Sequence, residues 1–250
     1  MLGLAAVVFD VDGTLVDSER HGHRVAFNLA FEEFGLPYRW DEDEYGELLR
    51  VTGGRRRIAR YLESQGVGDA ERDELAAALH ERKTAIMTEL IEAGRVEARP
   101  GVMRLLADLA EKGCRLAVAT TGSRGWVERV LERATPGARF EVVVTGDEVA
   151  ARKPDPEAFV RAVERLGVPA EAVVAVEDSA EGLESAREAG LRCAVVVNGY
   201  TAGHDTSAAD LVLDDFGEEG RPARVLADPH GTGCTGVLDA ATLSRLVEAG

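Results

Sequence analysis

A doubly wound parallel α/β sheet of Rossmann-like type, with an inserted all-helical cap domain, is the fold class predicted by this sequence of 250 residues. Three observations predict it. The apolar run Val7-Val8-Phe9 reads as a buried strand and delivers Asp10-Val11-Asp12-Gly13-Thr14 directly at its end. From residue 97 onward, short apolar runs alternate with segments of helical period. Residues 17–96 between these parts hold four helical segments and no convincing strand. The predicted organisation is a core of residues 1–16 and 97–250 interrupted by a helical cap of residues 17–96.

Each element has its own signal. Asp17 or Ser18 is placed to cap a helix, and His23 to Phe34 carries Val25, Phe27, Leu29, Ala30, Phe31 and Phe34 on mainly helical spacing before Gly35. Asp41 to Arg50 predicts a second helix, with Gly53-Gly54 as the break, and Arg55 to Ser64 a third. Ala70 to Ala93 predicts a long fourth, with Leu75, Leu79, Ile86 and Leu90 on one side. After the turn Arg99-Pro100-Gly101, a helix runs to Lys112 with Val102, Leu105, Leu106 and Leu109 inward. Strands at Leu116–Ala119, Val142–Val144, Val173–Val176, Ala194–Val197 and Leu211–Leu213 alternate with helices at 124–134, 156–166 and 180–189. The tail beyond Phe216 shows no decisive pattern. Its Gly-rich stretch His230-Gly231-Thr232-Gly233 follows no clear strand and carries no Lys, which favours a surface loop over a phosphate loop.

Composition narrows the function. A formal net charge of -16 disfavours nucleic acid, whose phosphates are bound through clustered Lys and Arg. No apolar stretch approaches the roughly 20 residues of a spanning helix, and the N-terminal run lacks the basic flank of a signal peptide. Cys114, Cys193 and Cys234 are few and scattered, which fits a reducing cytoplasm. Cytoplasmic, monomeric action on a small molecule is the expectation. Basic residues are nearly all Arg, so Lys83, Lys112 and Lys153 stand out as candidates for chemistry specific to Lys.

The strongest functional signal is convergence at strand ends, where an open parallel sheet binds its ligands. The first strand ends in Asp10 and Asp12, the second in Thr120; Lys153 follows the third, and Glu177-Asp178 end the fourth. Asp10 has the placement of a nucleophilic carboxylate, and Asp12 that of a general acid and base. Asp178 with Glu177 completes an oxygen set suited to Mg2+. Lys153 supplies a point charge for phosphoryl oxygens and holds Asp10 ionised, while the Thr120 hydroxyl holds another such oxygen. Together these are the parts phosphoryl transfer requires. A calcium loop starting at Asp10 fails, because its sixth and twelfth places hold Leu15 and His21 instead of Gly and Glu. In the cap, Arg50, Arg55, Arg56 and Arg57 flank the Gly-Gly break, a basic cluster able to grip a second phosphate.

These motifs resemble the haloacid dehalogenase-like hydrolase superfamily: Asp10-Val11-Asp12-Gly13-Thr14, then Thr120, Lys153-Pro154-Asp155 and Glu177-Asp178, in order over the whole chain. The resemblance implies Asp10 as nucleophile, Asp12 as acid and base, and Mg2+ on Asp10, the Asp12 carbonyl and Asp178. Members with a helical cap in this place are mostly small-molecule phosphatases, with β-phosphoglucomutases among them. The stretches from His23 to Asn28, from Tyr45 to Gly54 and around Val212-Leu213-Asp214 resemble the CbbY group, with one extra residue between Asp17 and His23 and with Arg55 in place of Lys. That group removes the 1-phosphate of xylulose 1,5-bisphosphate, and the likeness implies Asp17, His23, Arg50, Thr52, Gly53 and Arg55 as substrate-binding positions. A β-phosphoglucomutase, a phosphoglycolate phosphatase and a non-catalytic sugar-phosphate-binding protein are the alternatives.

Overall fold

The computed structural model describes residues 3–51 and 53–249. The chain divides into two compact units, Met1–Asp17 with Glu97–Gly250, and Ser18–Val96.

The first unit is a seven-stranded sheet. Its strands are β1 (Ala6–Phe9), β2 (Arg115–Ala119), β3 (Phe140–Val144), β4 (Val173–Glu177), β5 (Arg192–Val196), β6 (Leu211–Leu213) and β7 (Val225–Ala227). Their order is β3-β2-β1-β4-β5-β6-β7, parallel throughout except for the antiparallel β6–β7 pair. β1 is central because every residue in it is apolar and fully buried, and Val7, Val8 and Phe9 each gain roughly 2 kcal/mol from that burial. Phe9 stands opposite Val118 on β2 and Val176 on β4, so the three strands finish level with one another. The winding direction reverses between β1 and β4. Their carboxyl ends therefore flank the crevice at which such sheets receive ligands.

Helices α7 (Glu157–Leu166) and α8 (Ala180–Glu188) cover one face, where Phe159, Ala162 and Leu183 pack against Val8, Ala119 and Ala175. Helices α5 (Val102–Glu111) and α9 (Ala240–Glu248) contact strands on the sheet as well, through buried Leu105, Leu109, Leu243 and Leu246. Helix α6 (Arg124–Ala134) follows β2.

The tail is more ordered than its sequence suggests. β7 pairs with β6, and α9 is capped by Asp239, which accepts the Thr242 N–H at 2.7 Å. Between them the Gly-rich stretch is a loop folded over Asp228. The Asp228 carboxylate accepts the N–H groups of Thr232 and Gly233 at 2.9 and 3.2 Å, so these amides are already bonded to an internal anion. Arg104 ties the tail to α5 by donating to the carbonyls of Phe216, Gly217 and Leu238.

The second unit has a π-helical turn (Glu19–His23) leading into α1 (Arg24–Glu33), followed by α2 (Glu42–Leu48), α3 (Gly54–Ser64) and α4 (Asp69–Glu92). In the π turn the Arg24 N–H reaches back five residues to the Glu19 carbonyl, a spacing that takes up one residue more than an α turn. The unit's core is aromatic: Phe27, Phe31, Trp40, Tyr45 and Tyr61 lie with ring centroids 4.9–6.3 Å apart. Asn28 fixes the turn before α2 by bonding both the N–H and the carbonyl of Trp40 at 2.8 Å. Among the described residues no helix is long and apolar enough to cross a membrane.

Candidate active site

The backbone leaves β1 and turns tightly. The Val16 N–H bonds the Val11 carbonyl at 3.2 Å and the Gly13 N–H bonds the Val16 carbonyl at 2.8 Å, which makes a small closed loop of residues 11–16. Gly13 sits at φ 86°, a left-handed conformation, and a Cβ there would lie 2.4 Å from Asp178 Oδ2. Only glycine lets the loop carrying Asp12 close against the end of β4.

Asp10 is 6% exposed. Lys153, from the segment between β3 and α7, donates to Asp10 Oδ1 at 2.7 Å, to Glu177 Oε1 at 2.5 Å and to the Ala119 carbonyl at 2.8 Å, with its ammonium 4.8 Å from the Phe159 ring centre. One ammonium thus joins the ends of β1, β2 and β4. Glu177 has its other oxygen on the Asp178 N–H at 3.1 Å and near the Ser179 hydroxyl at 3.4 Å. Asp178 accepts from the Thr14 hydroxyl at 3.3 Å and from the Asn198 amide at 2.7 Å. Thr120 is buried, and its hydroxyl accepts the Gly122 N–H at 3.1 Å, which closes the loop after β2 into a tight turn. Asp12 is half-buried in the bridge with Val16.

The charges are strongly perturbed. Burial pushes the Asp10 carboxyl up to about 7; Lys153 pulls it down and Glu177 pushes it up. Burial and the neighbouring Glu177 and Asp10 raise Asp178 well above the usual carboxylate range. Burial works against the Lys153 ammonium, but Asp10 and Glu177 outweigh it and its net shift is upward. The Lys153 ammonium bonds two of the site's three acids, and the Arg99 guanidinium acts on the third, Asp178. Asp10, Glu177 and Asp178 offer oxygens within 4.8 Å of one another, a buried set of hard donors that suits a divalent cation, whose charge would relieve their mutual repulsion.

In the cap, the residues expected to bind substrate separate by environment. His23 Nδ1 lies 2.9 Å from the Lys83 ammonium, whose own position is 4.7 Å from the Phe27 ring centre. Burial, then Lys83, Arg57 and His80, hold His23 well below its ordinary range, so it is neutral and accepts from Lys83. Burial, then Lys83 and Arg55, lower His80. The four arginines diverge. Arg50 is exposed and paired with Glu47 at 3.0 Å. Arg57 is buried, donating to the Leu48 carbonyl at 3.1 Å and to the Tyr45 hydroxyl at 3.2 Å, while that hydroxyl donates to Glu19 at 2.5 Å. Arg55 and Arg56 are exposed at the start of α3, and Gly53, at φ 92°, sets the entry to that helix. Thr52 lies outside the described residues. Asp17 stands at the end of the first unit's opening segment, and its charge acts on Arg99.

Sequence reasoning missed Thr14, Asn198, Arg99 and the Glu19–Tyr45–Arg57 chain. Lys83 carried a signal, as one of three lysines in a chain that otherwise uses Arg.

A family model described as haloacid dehalogenase-like hydrolase matches residues 4–190. Protein CbbY of Rhodobacter capsulatus is 44% identical over 216 residues, 85% of this chain and 94% of that protein. The crystal structure of CbbY from Rhodobacter sphaeroides in complex with phosphate has a TM-score of 0.74 at 42% identity, covering 87% of this chain and 96% of that one. A mutant of the same protein in complex with xylulose 1,5-bisphosphate has a TM-score of 0.72 at 41% identity, covering 85% and 94% of the two chains. With its acids, Lys153 and Thr120 set at the ends of adjacent parallel strands, the chain is an enzyme of the haloacid dehalogenase-like hydrolase family.

Proposed function

We propose that this phosphatase uses Mg2+ to hydrolyse a small phosphorylated sugar, xylulose 1,5-bisphosphate first among candidates, through an aspartyl-phosphate on Asp10. The observation that carries the reading is the Lys153 ammonium bonded to Asp10 and Glu177 beside a buried set of three carboxylates. The CbbY relatives, one with that bisphosphate bound, support the choice of substrate.

In this reading an Asp10 oxygen attacks phosphorus and the bond to the sugar oxygen breaks, while Asp12 gives that oxygen its proton. Water then attacks the acyl phosphate and yields its proton to Asp12, which frees Asp10 and inorganic phosphate. Lys153 keeps Asp10 in the attacking carboxylate form against its burial, and stabilises charge on the phosphoryl oxygens. The Thr120 hydroxyl and the amides after it hold a further phosphoryl oxygen. Glu177 orients Lys153. Asp10, the Asp12 carbonyl and Asp178, with Glu177 close by, would hold Mg2+, which supplies positive charge to the transferring group.

For the second phosphate, Arg55 is the leading residue, because Arg50 is engaged by Glu47 and Arg57 is built into the cap's core. The Lys83 ammonium, bonded to the neutral His23, adds positive charge to the cap, and His80 lies close enough to Arg55 to feel its charge. Asp17, Thr52 and Gly53 remain candidate contacts to the sugar.

The test measures phosphate release from xylulose 1,5-bisphosphate and from β-glucose 1-phosphate, by wild type and Arg55→Ala. Expected are turnover of the bisphosphate and a KM for it raised at least tenfold by the substitution, with little change for p-nitrophenyl phosphate. Accumulation of glucose 6-phosphate from the second sugar would make the enzyme a mutase. Equal effects on both phosphate esters would remove Arg55 from the clamp.

A further inference from the structure

The segment after β5 contains a side chain that none of the motifs includes. Asn198 belongs to a turn, Asn198-Gly199-Tyr200-Thr201, beyond the carboxyl end of β5. Its Oδ1 accepts the N–H groups of Tyr200 and Thr201 at 2.8 and 3.2 Å, and its own N–H donates to the Thr201 hydroxyl at 2.9 Å. These contacts decide which way the side-chain amide faces, because an oxygen held by two N–H donors cannot exchange places with the NH2 group. The NH2 group then points at the site. It donates to Asp178 Oδ2 at 2.7 Å and to the Gly13 carbonyl at 3.2 Å.

The Gly13 carbonyl is held a second time. Arg99, 8% exposed, donates to it at 2.5 Å and bonds the Val196 and Val197 carbonyls at 2.8 and 2.7 Å, with its guanidinium 5.4 Å from the Phe216 ring centre. The loop carrying Asp12 is therefore fastened to the end of β5 at one oxygen, by two donors. A Cβ on Gly13 would lie 2.9 Å from Asn198 Nδ2 as well as 2.4 Å from Asp178 Oδ2. The glycine of the first motif makes room for this amide–carboxylate contact.

We infer that Asn198 is a positioning residue that fixes the orientation of the Asp178 carboxylate toward Asp10 and thereby sets the affinity of the site for its divalent cation. Side chains that bond a liganding group and lock its orientation typically account for about 10- to 100-fold in metal affinity. Here the alternative orientations of Asp178 are closed off on one oxygen by Asn198 and on the other by the Thr14 hydroxyl. The inference rests on the metal-binding part of the proposed function.

The test titrates Mn2+ alone into the protein and follows free Mn2+ by electron paramagnetic resonance, so that turnover plays no part in the readout. Wild type is compared with Asp178→Asn, Asn198→Ala, Asn198→Ser and Thr201→Val. Asn198→Ser keeps an acceptor for the turn amides and loses the donor to Asp178, while Thr201→Val loosens the turn and keeps that donor. Expected are Mn2+ dissociation constants raised about 10- to 100-fold by both Asn198 substitutions and within twofold of wild type for Thr201→Val. In Mg2+-dependent phosphate release the activation constant for Mg2+ should rise in parallel, with the KM for p-nitrophenyl phosphate at saturating Mg2+ nearly unchanged. If Asn198→Ser binds Mn2+ as tightly as wild type, or if Thr201→Val weakens binding as much as it does, the positioning role is wrong. If wild type binds Mn2+ no better than Asp178→Asn, the metal reading fails and takes this inference with it.

Discussion

Lys153→Met is the perturbation that tests the electrostatic design of the site most directly. The ammonium lies 2.7 and 2.5 Å from two carboxylates, with all three side chains less than 10% exposed. At an effective dielectric constant of about 20, each contact carries roughly 6 kcal/mol of Coulomb attraction, and desolvation of the ammonium offsets much of the sum. Removing one partner of a buried pair costs about 3–5 kcal/mol because the remaining charge is left uncompensated. Methionine fills most of the volume and carries no charge, so the cost is electrostatic. Asp10 already sits at about 7 with Lys153 present. Without the lysine its carboxyl goes higher still, and the nucleophile stays protonated through neutral pH. Two readouts follow. Chemical denaturation in EDTA should show a loss of about 3–5 kcal/mol at pH 8 that shrinks toward pH 5, where protonation removes the uncompensated charge. Mg2+-dependent phosphate release should fall at least about 100- to 1,000-fold, the usual loss for one electrostatic donor. Glu177→Gln added to Lys153→Met should restore part of the stability and none of the activity. A stability loss below about 1 kcal/mol, or one independent of pH, would refute this account of Lys153.

Two further outcomes are expected. In EDTA, protein stability should decline as pH rises from about 4 to about 7, because folding favours the protonated forms of Asp10 and Asp178, whose folded carboxyls lie above their unfolded range. Calorimetry of wild type against Asp10→Asn isolates this contribution, and Mg2+ should raise the wild-type Tm more at pH 8 than at pH 5; a wild type that gains stability over Asp10→Asn as pH rises would contradict it. Arg57→Met should destabilise the protein by about 1–3 kcal/mol in urea denaturation, through the Leu48 carbonyl and Tyr45 hydroxyl left without their donor, and no measurable loss would place Arg57 outside the cap's core.

The strands of the core were legible because they are short apolar runs whose ends carry unlike polar groups, and the structure brings Asp10, Lys153, Glu177 and Asp178 into direct or shared contact. The basic cluster of the cap was read by proximity along the chain, where helical period decides. Gly54, Arg57, Ile58, Tyr61 and Leu62 follow i, i+3, i+4 spacing, which turns Arg57 inward with Ile58 and leaves Arg55 and Arg56 in solvent. Asn198 and Arg99 could not be seen locally. Their partners are Gly13, Asp178 and backbone carbonyls up to 185 positions away, and a carbonyl leaves no trace in the sequence. Strand β7, only the three residues Val225–Ala227, is too short to show a period, although Asp239 followed by Leu243 and Leu246 is a cap and period that mark α9.

The closure of the loop after β1 has a consequence for how such a chain diversifies. Val16 bridges to Ala98, and the Arg99 N–H bonds the Leu15 carbonyl at 2.9 Å, so the two points where the core's chain is interrupted are fastened to each other inside the core itself. From the sheet's side, everything between Ser18 and Val96 is a long excursion hung on a knot that is already tied. The entropy of closing so long an excursion grows only slowly with its length, so residues there can be gained, lost or exchanged with little effect on the acids beside β1. The π-helical turn at Glu19–His23 opens that excursion only a few positions along the chain from Asp12, while the core retains its bonds.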